Sequence, residues 1–329
     1  MRVFVAGGTG VIGRSLIPLL TAAGHQVTAT TRAPGKVGLL MSLGAEPAVA
    51  DGLDRGAVYE AVARARPDVI IHQMTGLSGL TGAADLRHFD RAFAVTNALR
   101  TVGTDYLLEA ARANGTRRFI AQSFTGWPNA RTGGPVASED GPLDPAPPAR
   151  MRESMAAIGH LEAAVPSQVP EGIVLRYGGL YGPGASDELV AQVRKGRMPV
   201  IGDGAGVWSF THIADAATAT ALATGRGRPG IYNVVDDDPA PVAEWLPYLA
   251  GTLGARRPWR VPVWAGRLLA GEAVVSLMTQ IRGSSNAKAR REFGWTPRYA
   301  SWRSGFATGL SDDHDAERDQ SGARAGGGA

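Results

Sequence analysis

The stretch RVFVAGGTGVIG, residues 2–13, decides the fold of this chain. A short β-rich run leads directly into spaced glycines, and an apolar-periodic helical segment follows. Gly7 permits a tight turn, Gly10 lets the backbone approach a pyrophosphate without a Cβ in the way, and Gly13 allows the helix to pack closely on the strand. The helix N-terminus adds unpaired N–H groups that suit phosphate. The alternative is a simple strand-to-helix turn, but strand, loop and helix in this order predict a dinucleotide site.

Alternating β-rich and helical segments continue through the first 125 residues. This pattern is typical of parallel strands joined by right-handed crossovers, so we predict an α/β fold with a Rossmann-type doubly wound parallel sheet. The predicted strands are residues 2–6, 26–30, 69–72 and 118–122, and the predicted helices are residues 11–23, 58–65 and 93–114.

The composition of the chain changes after these 125 residues. Residues 128–148 are rich in Pro, Gly and Asp and predict a long loop that contributes to a substrate cleft. A helix at 151–165 and a strand at 172–176 follow. We therefore expect a dinucleotide-binding domain at residues 1–175, a smaller, mainly substrate-binding α/β domain at 176–310, and a disordered polar tail at 311–329.

Composition narrows the functional classes. The chain has 329 residues, 44% of them hydrophobic, a net charge of +4 and no cysteine. Disulfides, thiolate metal sites and a cysteine nucleophile are excluded, and we expect no metal. The basic residues are dispersed, so we expect no nucleic acid partner. Apolar runs are far shorter than the roughly 20 residues that cross a bilayer. No membrane partner and a cytoplasmic location are expected, because a β-type run follows Met1 almost at once.

The end of the second predicted strand indicates which nicotinamide cofactor binds. An NAD-selective site usually has a carboxylate there, but this chain has Arg32, with Arg14 and Lys36 as possible neighbours. Arg32 could pair with the 2′-phosphate of NADP, or it could be an ordinary exposed residue. NADP(H) is preferred and NAD(H) stays an alternative. Asp51 could accept from the adenine amino group or simply form a turn. The predicted cofactor-binding residues are Gly7, Thr9, Gly10, Val11, Ile12, Gly13, Arg32, Asp51, Leu53, Gln73, Met74 and Ser123.

Further motifs make the chain resemble the extended short-chain dehydrogenase/reductase superfamily, which includes the NAD-dependent epimerases and dehydratases. The resemblance covers about residues 1 to 310. Besides the glycine loop, the matching motifs are DGLD at 51–54, VIIH at 69–72, GT at 103–104, LLEAA at 107–111, LRY at 175–177, YGPG at 181–184, GDG at 202–204, FTHIAD at 210–215, YNV at 232–234 and FGWTP at 293–297. The resemblance implies an oxidoreductase or epimerase fold and, by analogy, a homodimer.

The sequence departs from this family at its proton-transfer residues. Members that act at an alcohol carbon use a Tyr-x-x-x-Lys pair, in which Lys lowers the pKa of the phenol. Here Ser154 and Ile158 occupy those positions, and no Tyr-x-x-x-Lys occurs elsewhere. Phe124 falls near the usual strand-end serine, which leaves Ser123 or Thr125 as the nearest hydroxyls. The helix asparagine of the family is replaced by Arg100, with Asn97 one turn earlier, so the chain resembles an atypical branch.

Other side chains become candidates for the missing roles, each with a structural alternative. The candidate catalytic residues are Ser123, His160 and Tyr177, although a surface histidine and a packed tyrosine are equally ordinary interpretations. The candidate substrate-binding residues are Arg100, Thr125, Trp127, Tyr181 and Trp208. Arg100 could hold an anionic substrate or a cofactor phosphate. Trp127, Trp208 and Met74 could wall an apolar pocket for a flat substrate, or they could belong to the core.

These observations predict an atypical NADP(H)-dependent oxidoreductase acting on a small organic molecule. Two alternatives stay open: an epimerase or dehydratase with tightly bound NAD(P), and a non-catalytic NADP(H) sensor. If chemistry occurs, another group must move the proton, or the substrate must need none from the protein.

Overall fold

The computed structural model describes residues 1–77 and 86–311. The predicted disordered tail therefore lies, apart from Ser311, outside the described residues. Within the described ranges, no helix is long and apolar enough to cross a membrane.

A seven-stranded parallel sheet forms the centre of the molecule, which confirms the predicted fold class. We number its strands in chain order, and they lie side by side in the order β3-β2-β1-β4-β5-β6-β7. The chain crosses over after β3, so the carboxyl ends of β1 and β4 meet at the middle of the sheet. The strands are β1 Arg2–Ala6, β2 Gln26–Thr31, β3 Glu46–Val49, β4 Val69–His72, β5 Arg118–Phe124, β6 Glu171–Tyr177 and β7 Gly230–Val234.

Helices cover both faces of this sheet and build the C-terminal part. They are α1 Val11–Ala22, α2 Val37–Ser42, α3 Arg55–Ala65, α4 Phe89–Ala92, α5 Ala94–Ala98, α6 Thr104–Ala113, α7 Arg152–Gln168, α8 Asp187–Arg194, α9 Ile213–Ala223, α10 Val242–Thr252, α11 Val263–Ala270, α12 Glu272–Thr279, α13 Ala287–Phe293 and α14 Trp302–Thr308. Shorter strands pair two by two outside the main sheet.

The helix predicted at residues 93–114 is interrupted. A π-helical turn, Leu99–Gly103, separates α5 from α6. The carbonyl of Leu99 accepts from His72 Nε2 at the end of β4 (3.1 Å) and from Thr104 Oγ1 (3.3 Å). These bonds compete with the regular i→i+4 ladder and widen the helix at this point. Such turns are frequently found at functional sites.

Successive side chains of a strand point to opposite faces of the sheet, so the core has two layers. In β1, Val3 and Val5 pack into one layer, while Phe4 and Ala6 pack into the other. Both layers are buried, which is why this strand is apolar throughout. The predicted domain boundary after residue 175 falls inside β6. Chain beyond that point also returns to the sheet as β7.

The C-terminal part has a separate apolar core rich in aromatic side chains. Trp245, Trp302 and Phe306 are each at most 2% exposed and pack together with Tyr181 and Phe210. A fourth apolar cluster joins this part to the sheet, because α12 contributes side chains that pack against α7. Trp127, three residues beyond the carboxyl end of β5, belongs to the same cluster.

Candidate functional site

The glycine loop has a backbone geometry that side chains would disrupt. Gly7 has φ +92°, and a Cβ there would lie 2.9 Å from the carbonyl oxygen of Gln73. A Cβ on Gly13 would lie 2.6 Å from the carbonyl oxygen of Gly8. Gly10 differs, because a Cβ there would lie 3.3 Å from its nearest neighbour, the carbonyl oxygen of Gly7. The first two positions therefore need glycine to close the turn, and the third leaves the loop surface open.

The N-terminus of α1 follows directly and fits a pyrophosphate. Gly10 provides no side-chain cap, and Arg14 N is the first amide that bonds back, to the carbonyl of Gly10. The amides of Val11, Ile12 and Gly13 belong to the first turn, where no helical acceptor exists. A nicotinamide dinucleotide would be held here by Thr9 to Gly13 through backbone N–H groups and the helix dipole. The six predicted loop residues thus lie together.

The loops after β2 and β3 lie beside this helix end. Arg32 is exposed just beyond β2, and Thr31 Oγ1 accepts from Ala33 N (3.2 Å) to turn the chain there. Asp51 Oδ1 accepts from Leu53 N (2.9 Å), which is the turn-forming alternative for this aspartate. Gly52 lies against Met74, since a Cβ on it would be 2.4 Å from Met74 Sδ.

The two residues that the resemblance assigns to the family's proton-transfer positions are packed in the structure. Ser154 is fully buried, donates to Asp90 Oδ1 (2.7 Å) and accepts from Asn97 Nδ2 (3.0 Å). Ile158, also fully buried, lies one turn later in the fourth apolar cluster. Both positions therefore serve packing, and neither side chain can exchange a proton near neutral pH.

Ser123 and Thr125 lie at the end of β5, but their hydroxyls are already bonded inside the protein. Ser123 Oγ donates to Glu162 Oε1 (2.8 Å), and Thr125 Oγ1 lies 2.6 Å from Ser284 Oγ. Both residues are 2% exposed. The predicted catalytic role of Ser123 and substrate role of Thr125 are not supported, because these bonds turn the hydroxyls into the core.

Tyr177 is also a core residue. Its hydroxyl accepts from Gln73 Nε2 (3.1 Å) and lies 2.6 Å from Thr220 Oγ1. Burial raises the pKa of Tyr177 to about 12. A catalytic role is not supported, since the phenol is 1% exposed and holds its proton at neutral pH. Gln73 lies at the end of β4 as predicted, and its Oε1 is buried without a partner among the described residues.

His160 and Tyr181 lie away from the glycine loop. His160 is on the outer face of α7, where Nε2 contacts Asp105 Oδ1 (2.8 Å) on a neighbouring helix. Tyr181 is 1% exposed and packs edge-on against Phe306 in the C-terminal core, and burial raises its pKa. In the structure His160 makes a contact between two helix surfaces and Tyr181 packs in a core, so neither contact adds support to the predicted roles, which stay predictions.

Trp127 and Trp208 lie in one largely buried apolar cluster, which we call the aromatic wall. Trp127 is 8% exposed, and its ring lies 5.2 Å from that of Phe89 and 6.3 Å from that of Phe124. Trp208 is half-buried and donates from Nε1 to the carbonyl of Leu277 (2.9 Å). Phe89, Met155 and Leu277 complete this wall, and the sequence analysis missed them. Their sequence separation gave no signal that they would meet.

Arg100 is a buried cation within the π-turn. It is 5% exposed, and its Nε and Nη1 have no hydrogen-bond partner among the described residues. Burial lowers the pKa of Arg100 to about 10, and the nearby charge of Glu162 partly opposes that shift. The guanidinium therefore stays charged at neutral pH. Asn97 Oδ1, one turn earlier, is likewise buried and unpartnered within the described chain.

Comparison with known proteins agrees with this geometry. The model of the NAD dependent epimerase/dehydratase family matches residues 3–234. A 3-diazoavenalumate denitrifying reductase of a Streptomyces species is 44% identical over 311 residues, covering 93% of this chain and 99% of that protein. The chain belongs to the NAD-dependent epimerase/dehydratase family. A 2-alkyl-3-oxoalkanoate reductase of Stenotrophomonas maltophilia is a more distant member, 27% identical and covering 90% and 95% of the two chains.

Solved structures of the family show the same fold. The UDP-glucose 4-epimerase of Thermus thermophilus in complex with NAD superposes with a TM-score of 0.72 at 25% identity, covering 94% and 98% of the two chains. Human epimerase family protein SDR39U1 with NADPH also gives 0.72, at 20% identity and 93% and 98% coverage. Together with the reductase relatives, these findings make the chain an oxidoreductase of the short-chain dehydrogenase/reductase type that uses a nicotinamide cofactor.

Proposed function

We propose that this protein is an NADP(H)-dependent reductase that replaces the diazo group of a small organic acid with hydrogen and releases dinitrogen. One observation carries the proposal. The chain keeps the glycine loop, while Ser154 and Ile158, which the resemblance assigns to the positions of the family's phenol and ammonium, are buried and packed. A reaction that needs hydride but no proton suits this combination.

Reduction of a ketone and reduction of a diazonium ion differ in whether the protein must supply a proton. When bound, a reduced nicotinamide supplies hydride to an electrophilic carbon. A ketone also needs a proton on its oxygen, which general acid catalysis provides. An arenediazonium ion instead takes up hydride at the carbon that bears nitrogen, the C–N bond breaks, and N2 leaves with the bonding electrons. Atoms and charge balance without a proton from the protein.

The relatives support both the reaction and the substrate class. The reductase that is 44% identical to this chain acts on a diazo acid and is called denitrifying. The more distant reductase acts on an oxoalkanoate, so both substrates are carboxylates. Trp127, Phe89 and Leu277 pack together and are each at most 8% exposed. A flat ring would lie against the edge of this apolar cluster, which would help to exclude water from the reacting carbon.

The NADP preference rests on the loop after β2. Arg32 is exposed there, and it stands where NAD-selective sites usually carry a carboxylate. We expect Arg32→Glu to weaken NADPH binding about tenfold through loss of a charge-assisted contact, with NADH binding unweakened. Arg64→Glu, at the opposite, amino edge of the sheet, is the matched charge control. Equal effects of both variants in calorimetric titrations would remove the role of Arg32.

An isotope experiment tests the reaction itself. The probe is the diazonium derived from 3-amino-4-hydroxybenzoate, incubated with NADPH deuterated at C4 and with a control lacking protein. We expect N2 release and deuterium at the former diazo carbon. With unlabelled NADPH in D2O, that carbon should carry protium. Deuterium from solvent, or turnover of a β-keto acid without any turnover of the diazonium, would contradict the proposal.

A further inference from the structure

Three buried charged residues form a cluster behind the end of β5. Glu162 accepts from Arg176 Nε (2.7 Å) and Nη2 (2.5 Å), and Ser123 donates to the same carboxylate (2.8 Å). The side chains of Glu162 and Arg176 are 5% and 4% exposed. This ion pair is complete, because the carboxylate is held by a two-pronged guanidinium and a hydroxyl.

Arg100 adds a second cation to this cluster without adding a bond. Its guanidinium is close enough to Glu162 for the carboxylate to influence it, yet no hydrogen bond joins them. Burial lowers the pKa of His72, which also faces Arg100, to about 4, so that ring is neutral at pH 7. Among the residues that the structure describes, two guanidinium groups and one carboxylate leave one buried positive charge uncompensated.

Such a charge is costly in a protein interior. An unpaired buried ion destabilises the folded state by several kcal/mol, and the donors of a guanidinium need acceptors. The neighbouring polar groups do not supply them, since the buried Asn97 Oδ1 and Gln73 Oε1 are also unpartnered within the described chain. All three residues border the end of β4, at the sheet edge that carries the glycine loop.

The position of the charge departs from the family's motif, as the resemblance assigns it. Where the family places a lysine, the chain has Ile158, and where it places an asparagine, the chain has Arg100. The cation of the site therefore comes from the π-turn instead of from α7. A guanidinium differs from an ammonium because its planar fork matches the two oxygens of a carboxylate.

We propose that Arg100 binds the carboxylate of the substrate and thereby selects organic acids. The inference rests on the proposed function for the identity of the substrate, but not for the presence of an anion site. The substrate's negative charge neutralises the cluster, and the contact fixes the distance between the carboxylate and the reacting carbon.

Binding of an unreactive acid and its ester tests this without any turnover. The probes are 4-hydroxycinnamate and its methyl ester, titrated calorimetrically into the NADP⁺-loaded protein. We expect the wild type to prefer the acid. Arg100→Gln should weaken acid binding about 100-fold and leave ester binding unchanged, because one charge-assisted fork is lost. Arg100→Lys keeps the charge and should recover part of the preference.

The outcomes separate this proposal from a structural role. Equal loss of acid and ester in Arg100→Gln, or acid binding that matches the wild type, would overturn it. Arg100→Met provides a second neutral variant if the glutamine variant fails to fold, and thermal melting checks both. Failure of the diazonium reaction alone would contradict the proposed function, while the acid-over-ester preference would still stand.

Discussion

The glycine loop and the helix α7 lie at the same edge of the sheet, but they follow the family to different degrees. The loop acts through backbone N–H groups, whose positions depend on Gly7 and Gly13 having no side chain. The helix acts through side chains at single positions, here Ser154 and Ile158. Backbone N–H groups are positioned by local geometry and do not depend on which side chains are present. A catalytic side chain, in contrast, can be replaced by one that packs equally well but has no catalytic chemistry.

The replacement on α7 leaves the helix packing intact. Ser154, Ile158 and Glu162 follow one another at intervals of four residues, so they lie on one buried face. The first bonds to Asp90, the second packs with the aromatic wall, and the third pairs with Arg176. Substitutions in α7, near the end of β4 and in the glycine loop test this difference separately.

Restoring the lysine should give the largest effect. Ile158→Lys places a charge in a fully buried apolar cluster, and we expect it to destabilise the fold by about 3–5 kcal/mol in urea unfolding at pH 7. Ile158→Leu, the control of similar volume, should cost less than about 1.5 kcal/mol. A lysine accepted at little cost would show that this face of α7 is open enough for the family's chemistry.

A lower pH should destabilise the folded protein through His72, at the end of β4. His72 donates from Nε2 to Leu99 and accepts at Nδ1 from Met74 N, and burial lowers its pKa to about 4. Unfolding restores a pKa of about 6.5, so the unfolded chain binds the extra proton between these values. Stability is therefore complete above pH 6.5 and falls by about 3 kcal/mol as pH drops to 4.

A histidine variant isolates that contribution in unfolding experiments from pH 4 to 7.5. His72→Gln should flatten the loss of stability in this window, although it is less stable at pH 7. Identical slopes in this variant and in the wild type would show that His72 does not control the acid transition.

A side chain in the glycine loop should mainly weaken cofactor binding. In Gly13→Val the new Cβ meets the carbonyl oxygen of Gly8, so α1 must move away from the loop. We expect NADPH to bind about 100-fold more weakly in calorimetry. Gly38→Ala in α2, where a Cβ meets nothing within 4 Å, is the control and should bind normally. Normal binding by the valine variant would contradict the backbone cradle.

Removal of the Tyr177 hydroxyl should give the smallest effect. Tyr177→Phe loses the bonds to Gln73 and Thr220, which costs about 1 kcal/mol of stability. The pH profile of turnover should not change, because a phenol with a pKa of about 12 exchanges no proton between pH 6 and 9. A shifted pH profile would return Tyr177 to the catalytic candidates.

The sequence by itself determined the sheet, the glycine loop and the absence of the Tyr-Lys pair. These features are local: a strand, its turn and the following helix are neighbours in the chain, and a missing motif can be read directly. The turn at Asp51 is also a local feature, because the hydrogen bond that closes it comes from Leu53, two residues later.

Only the tertiary structure decided what the isolated polar residues do. The hydroxyl of Tyr177 meets Gln73 across 104 residues, and Ser123 meets Glu162 across 39. The sequence shows Arg100 only as a basic residue on a predicted helix, yet in the structure it lies in a π-turn and is 5% exposed. A side chain's chemistry depends on burial and on partners that sequence spacing does not encode, which is why these roles emerged only in three dimensions.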